Sequence, residues 1–323
     1  MRWHSTAIFT AILVLIVGIP CTAPSAVAKS PKLQPGEGFV QVTGGKVWYR
    51  VVGTGEKTPL LLLHGGPGAP SYYLERLAAL SDERPVVFYD QLGCGRSDRP
   101  HDTSLWTMER YIDELKRVRE QLGLKRVHVL GHSWGSMLAI DYLLTKPPGV
   151  QSVILAGPVA SVPRYMRDAQ ALRARLPADV QATMARHEAA GTLDSDEYQQ
   201  AVMVFYKQYL SRSDPWPPEL EKTFAEFGAE SYNTVQGPNE FTVTGWIKDY
   251  DRTPRLGELK LPVLFTAGRY DEITPDQAAW YQSLVPGSKL VIFENSAHMT
   301  MLDEPDRYVA VVREFLASHD RKH

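Results

Sequence analysis

A mostly parallel, doubly wound α/β sheet with an inserted helical cap is the fold class this sequence predicts, on three observations. Continuously apolar runs of about five residues recur in both halves of the chain, as in strands buried on both faces of a parallel sheet. Between them lie segments with apolar residues three and four apart, the spacing of an amphipathic helix. From about residue 158 to 250 the buried-strand runs stop, and the chain becomes polar, helical in pattern and studded with aromatic residues. Strands alternating with helices make a doubly wound sheet. A helical insert in such a sheet reads as a cap over the carboxyl ends of its strands, where ligands of these sheets bind.

The elements follow in order. Residues 1–28 read as an export signal: Arg2 precedes an apolar run from Ala7 to Ile19, shorter than the roughly 20 residues a membrane span needs. The small residues after it end in Ala26-Val27-Ala28, the A-x-A form of a signal-peptidase site, so cleavage after Ala28 and a secreted or periplasmic protein are expected. Pro20 directly before Cys21 argues against lipid attachment there, and loss of the signal leaves Cys94 as the remaining thiol. Residues 39–42 and 46–52, joined at Gly44-Gly45, form a predicted β-hairpin. Residues 59–63, 85–89 and 126–130 are predicted buried strands. Residues 105–122 are a predicted helix, with Met108, Ile112, Leu115 and Val118 on one face and Gly123 placed to end it. A helix over 134–144 and a strand over 151–155 complete the first part of the core, 29–157. The cap is assigned to 158–250, and the second part of the core to 251–323, with strands at 261–267 and 289–293 and a closing helix over 304–317.

Charge and cysteine content exclude several classes of function. The chain of 323 residues carries 35 Lys plus Arg against 37 Asp plus Glu, so it lacks the basic excess that nucleic-acid binding requires. Two cysteines can build neither a disulfide scaffold nor a four-thiolate zinc site. No metal and no other cofactor is expected.

Gly131-His132-Ser133-Trp134-Gly135 is a G-x-S-x-G sequence preceded by a predicted strand and followed by a predicted helix. That context makes it a nucleophile elbow, a tight turn that presents the Ser133 hydroxyl. A hydroxyl is a poor nucleophile until a base takes its proton. Among the histidines, His298 is the best placed base, in the loop after the last strand. The base needs an acid to fix its tautomer, and Asp271 follows the strand at 261–267, with Glu272 beside it as the rival. The chain order Ser133, Asp271, His298 is that of α/β-hydrolases. Asp90 and Asp98 precede the serine and are read as holding loops. His64-Gly65-Gly66-Pro67-Gly68 follows the strand at 59–63, and the N–H groups of Gly66 and Trp134 are the expected oxyanion hole. The P-loop lysine is missing from this glycine motif, which argues against phosphate binding.

The glycine motif at 64–68, Asp90-Gln91-Leu92-Gly93-Cys94-Gly95-Arg96-Ser97 and the elbow together resemble the proline iminopeptidases, α/β-hydrolase aminopeptidases that release an amino-terminal residue, preferentially proline. The resemblance runs from about Gly38 to Leu316, and the stretch Gly237-Pro238-Asn239-Glu240-Phe241-Thr242-Val243-Thr244-Gly245 is similar to the tricorn-interacting aminopeptidase branch. It implies Ser133 as nucleophile, His298 as base and Asp271 as its orienter. It also implies that Glu240 and Glu272 bind the free α-amine of a peptide or amino-acid amide, and that Cys94 is structural. Three alternatives remain at this point: an amidase for small amino-acid amides, an esterase or lactonase, and a non-catalytic ligand receptor on the same fold.

Overall fold

A computed structural model describes residues 33–320 together with Met1 and Trp3; the predicted export signal, 1–28, otherwise lies outside the described residues. The hairpin closes where Gly44 takes φ +96°, a conformation that side-chain-bearing residues rarely adopt. It joins β1 (Gly36–Val42) to β2 (Gly45–Val52), with Val42 opposite Gly45. Six more strands follow: β3 (Leu60–Leu63), β4 (Val86–Tyr89), β5 (Val127–His132), β6 (Val150–Ala156), β7 (Val263–Gly268) and β8 (Lys289–Phe293). They form one sheet of eight strands in the order β1-β2-β4-β3-β5-β6-β7-β8. The hairpin and the β2–β4 pair are antiparallel, and every pairing from β4 through β8 is parallel. Strands β3, β4, β5 and β7 are buried along their whole length, which is why their sequences are mainly apolar, without alternation. β8, at the sheet edge, keeps four of its five residues at least partly exposed.

The first two helices, α1 (Met108–Gln121) and α2 (Trp134–Leu144), return the chain between β4 and β6. The predicted start at residue 105 is three residues early. Leu105 belongs to a separate 3₁₀ turn, and Thr107 caps α1 by accepting a hydrogen bond from the Arg110 N–H. Between β6 and β7 the chain leaves the sheet and forms α3 (Val162–Arg173), α4 (Ala178–Ala190), α5 (Asp196–Tyr209), α6 (Pro218–Ala225) and α7 (Ala229–Val235). Phe205 anchors this insert, with its ring centroid 4.9 Å from Tyr209 and 5.2 Å from Phe241. The chain then completes α8 (Pro275–Ser283), the short α9 (Thr300–Asp303) and α10 (Pro305–His319), the last two separated at Glu304, which stands before a proline and leaves the helical region.

Two elements carry no expectation from the sequence. Residues Ser71–Asp82 wind as a 3₁₀ helix in which Ser71, Leu74, Leu77 and Leu80 are buried. Their spacing of three is the 3₁₀ period, so they share one face and the α-helical template misses them. Helix α8 begins at Thr274, whose side chain accepts from the Gln277 N–H, with Pro275 at the first helical position.

Candidate active site

The elbow is built by backbone contact. A Cβ on Gly131 would lie 2.2 Å from the Gly135 carbonyl oxygen, and one on Gly135 would lie 2.1 Å from that of Leu63. The two glycines therefore let β3, the turn and α2 meet main chain to main chain. Ser133 itself sits at φ 55°, ψ −121°, a strained conformation for a residue with a side chain. It is held there by its N–H, which donates to Ala156 O at 2.9 Å, and by its carbonyl, which accepts from Ser136 Oγ at 2.6 Å. The turn thus depends on main-chain contacts, and the Ser133 hydroxyl is left to the cavity it borders.

His298 and Asp271 reach the cavity from loops after β8 and β7. His298 is 2% exposed, and its Nδ1 lies 2.8 Å from Asp271 Oδ1. The same oxygen accepts from the Ile273 N–H at 2.8 Å, which fixes the carboxylate. The other ring nitrogen, Nε2, faces Glu272 Oε1 at 3.9 Å. The adjacent acids thus address opposite nitrogens of one imidazole, and Asp271 is the one placed to orient it. Burial alone would lower the His298 pKa; the charge and hydrogen bond of Asp271, with Glu272 and Glu240 adding, raise it to about 9.

Several groups that fix the histidine were not legible in the sequence. Gly157, at φ +48°, lies so close that a Cβ there would stand 2.5 Å from His298 Cε1. His132 donates from Nε2 to the His298 carbonyl at 3.1 Å, and its Nδ1 accepts from the Tyr73 hydroxyl at 2.9 Å. Burial and the nearby His298 hold the His132 pKa well below its usual value, so this neutral tautomer persists. The carbonyl of Tyr209, ending α5, accepts from the N–H groups of both His298 (3.1 Å) and Glu272 (3.3 Å). The last turn of one cap helix therefore ties together the two loops that carry these residues. Such contacts join positions far apart in the chain and leave no local pattern.

The Gly65 N–H is committed to Tyr73 Oη at 2.5 Å. Gly66 and Trp134, the expected oxyanion donors, both border the space beside Ser133. His64 and the loop aspartates Asp90 and Asp98 have structural partners. His64 Nε2 accepts from the Gln91 N–H at 2.8 Å, and Gln91 Oε1 in turn accepts from the Trp134 indole at 2.9 Å. Asp90 receives the Arg96 guanidinium and the Ser71 N–H, and Asp98 receives the Lys46 N–H. Cys94 is buried, with its Sγ 3.3 Å from the Gln91 carbonyl, and burial pushes its thiol pKa up.

Glu240 and Glu272 meet on the same cavity from the insert and from the core. Glu240 Oε1 accepts from the Tyr232 hydroxyl at 2.7 Å, and Oε2 accepts from the Tyr165 hydroxyl at 3.3 Å. Glu272 is 1% exposed, and among the described residues its Oε2 has no hydrogen-bond partner. Burial raises the pKa of both carboxyls, and the charge of Glu240 raises that of Glu272 further. A buried carboxylate oxygen without a donor is costly.

The cavity has two lobes that share Gly66, Ser133, Tyr232, Glu240 and Glu272. The larger, of about 260 Å³, is bordered by His298 and by Tyr206, Phe224 and Phe227. The smaller, of about 20 Å³, lies among Trp134, Met137, Val159, Val162, Ile247 and Ile273.

Residues 58–305 match the family model of the α/β hydrolase fold. The chain is 48% identical over 284 residues to a proline iminopeptidase of Heyndrickxia coagulans, covering 87% of this chain and 99% of that one. Among solved structures, VinJ superposes with a TM-score of 0.85 at 37% identity, over 88% of this chain and 100% of that one. A proline iminopeptidase of Mycobacterium smegmatis superposes with a TM-score of 0.81 at 36% identity, over 88% and 99% of the two chains. With near-complete coverage of relatives at 36–48% identity and the family model matched over residues 58–305, the chain belongs to the proline iminopeptidase family of α/β hydrolases.

Proposed function

We propose that the protein is an exported serine aminopeptidase that releases a small amino-terminal residue, preferentially proline, through an acyl-enzyme. The observation that carries this reading is the placement of two buried carboxylates, Glu240 and Glu272, on the cavity bordered by Ser133 and His298. A substrate ammonium between them relieves their mutual repulsion and supplies the donor that Glu272 Oε2 lacks. Held there, the amine sets the first carbonyl at the serine, so cleavage is confined to the first bond. The smaller lobe beyond the pair is apolar and has solvent space for about one water, which suits a compact ring better than a long side chain.

The reaction uses the chain's own groups. Ser133 Oγ bonds to the carbonyl carbon as its proton passes to His298 Nε2, with Asp271 stabilising the imidazolium. The N–H groups of Gly66 and Trp134 receive the negative oxygen. The carbon–nitrogen bond then breaks as His298 returns the proton to the leaving amine. Water attacks the Ser133 ester with His298 again as base, and the free amino acid and the serine hydroxyl are regenerated.

Prolinamide and its N-acetyl derivative test the reading. Prolinamide should be turned over, and acetylation should cost more than tenfold in kcat/KM, because the amide nitrogen carries no charge for the carboxylates. Equal rates on both would overturn it in favour of a general amidase, and turnover of simple esters alone would favour an esterase. Export rests on residues 1–28; protein recovered from the native host should begin at Lys29, and an intact Met1 in exported material would refute cleavage after Ala28.

A further inference from the structure

The two lobes differ in which end of the substrate they can hold. A group that protonates the leaving amine must face it. Among the described residues His298 borders the larger lobe and not the smaller, so the larger lobe receives the leaving group.

That lobe is walled by aromatic rings. Phe224 is 38% exposed although it is a large apolar side chain. It stacks on Trp216 at 5.3 Å between centroids (interplanar angle 22°) and on Phe227 at 6.2 Å (12°). Phe227 meets Tyr232 edge-on at 4.9 Å, and Tyr232 reaches Glu240. The result is a run of aromatic rings from the partly exposed Phe224 to Tyr232, which reaches Glu240. An aromatic group entering the lobe can pack against the rings that border it. Among the described residues that line the lobe there are two glutamates and no lysine or arginine. A negative group taken into it would lose hydration and meet no lysine or arginine, and the imidazolium of His298 on the lining already faces Asp271 and Glu272.

We propose that this lobe makes the protein selective for an uncharged, aromatic leaving amine, so that it acts on amides and on peptides with an aromatic second residue whose carboxyl is blocked or extended, and discriminates against free dipeptides. The proposal rests on the aminopeptidase reading above. It deepens that reading by naming the leaving-group class.

Three substrates sharing one prolyl group test it: Pro-Phe-NH₂, free Pro-Phe and Pro-Gly-NH₂. Wild-type kcat/KM should be more than tenfold higher on Pro-Phe-NH₂ than on Pro-Phe, and clearly higher than on Pro-Gly-NH₂. Phe224→Ala changes a ring at the exposed rim and should lower kcat/KM on Pro-Phe-NH₂ about tenfold, with less than about threefold loss on Pro-Gly-NH₂. Equal rates on Pro-Phe-NH₂ and Pro-Phe would overturn the charge selectivity. Equal losses on the two amides in Phe224→Ala would overturn the aromatic selectivity. Failure to cleave any of the three would overturn the aminopeptidase reading instead, and this proposal with it.

Discussion

Ser133→Ala should lower turnover of a prolyl arylamide by about 10⁴-fold or more, and His298→Ala by a similar factor, because the members of such a constellation act as one unit. The serine variant should keep its fold. The elbow is held by the Ser133 N–H on Ala156 O and by Ser136 on the Ser133 carbonyl, neither of which uses the lost hydroxyl. Alanine carries the same backbone strain as serine at φ 55°. The histidine variant removes the ring beside Gly157 and leaves Asp271 with the Ile273 and Gly268 N–H groups as donors, so some loss of stability, on the order of 1–3 kcal/mol, is expected. Thermal unfolding followed alongside activity separates the two effects. A folded Ser133→Ala protein that retained more than about a tenth of the activity would dismiss Ser133 as nucleophile, since that loss is only ~1.4 kcal/mol of barrier. Labelling by a fluorophosphonate, abolished in the same variant, would set the protein apart from a non-catalytic receptor.

Glu272→Gln should act in opposite directions on two kinds of substrate. On amine-bearing substrates, removing one partner of a buried charge pair costs ~2–5 kcal/mol, which is about thirtyfold or more in kcat/KM. On an ester without an amine, the sign follows from His298. Its imidazolium is favoured by Asp271, Glu272 and Glu240, so the free enzyme holds the proton up to about pH 9, and kcat/KM should rise with pH toward that value. At pH values where the Glu272 carboxyl, itself raised by burial and by Glu240, is ionised, losing its charge lowers the histidine pKa and moves this acid limb to lower pH. His132 and the tyrosines at 73, 165, 206 and 232 also border this region. Burial keeps His132 neutral and the four phenols protonated through neutral pH, so they add no limb in that range. Equal losses on both substrate kinds, with an unmoved limb, would mean that Glu272 serves only the packing of the insert. The same electrostatics gives the bound substrate a second effect, because its ammonium offsets the carboxylates that keep His298 protonated.

Much of this site can be read along the chain because its chemistry is local. The elbow needs two glycines around one serine between a strand and a helix, and all of that lies within residues 127–144. The buried strands announce themselves because both faces of each are covered, which favours apolar residues, and a polar one such as His128 is admitted with a partner, here Ser152 Oγ at 2.7 Å. Chain order admits Asp271 and Glu272 alike, and both acids lie against the same imidazole, on opposite nitrogens. The 3₁₀ helix at 71–82 escaped because its buried residues repeat every three positions, outside the template used for α-helices.

The sequence by itself therefore determined the sheet's central strands, the interrupting helical segment and the glycine-flanked turn at Ser133, because each is specified by composition over a few consecutive residues. The tertiary structure alone decided how Asp271 and Glu272 divide the two nitrogens of His298, that Gly157 must lack a side chain beside that ring, and that the end of α5 binds the loops of Glu272 and His298 together. It also decided that Glu240, from the insert, and Glu272, from the core, border one cavity of two lobes. These are contacts between segments dozens of residues apart. Their energies come from burial and charge proximity in three dimensions, quantities that no spacing along the chain encodes.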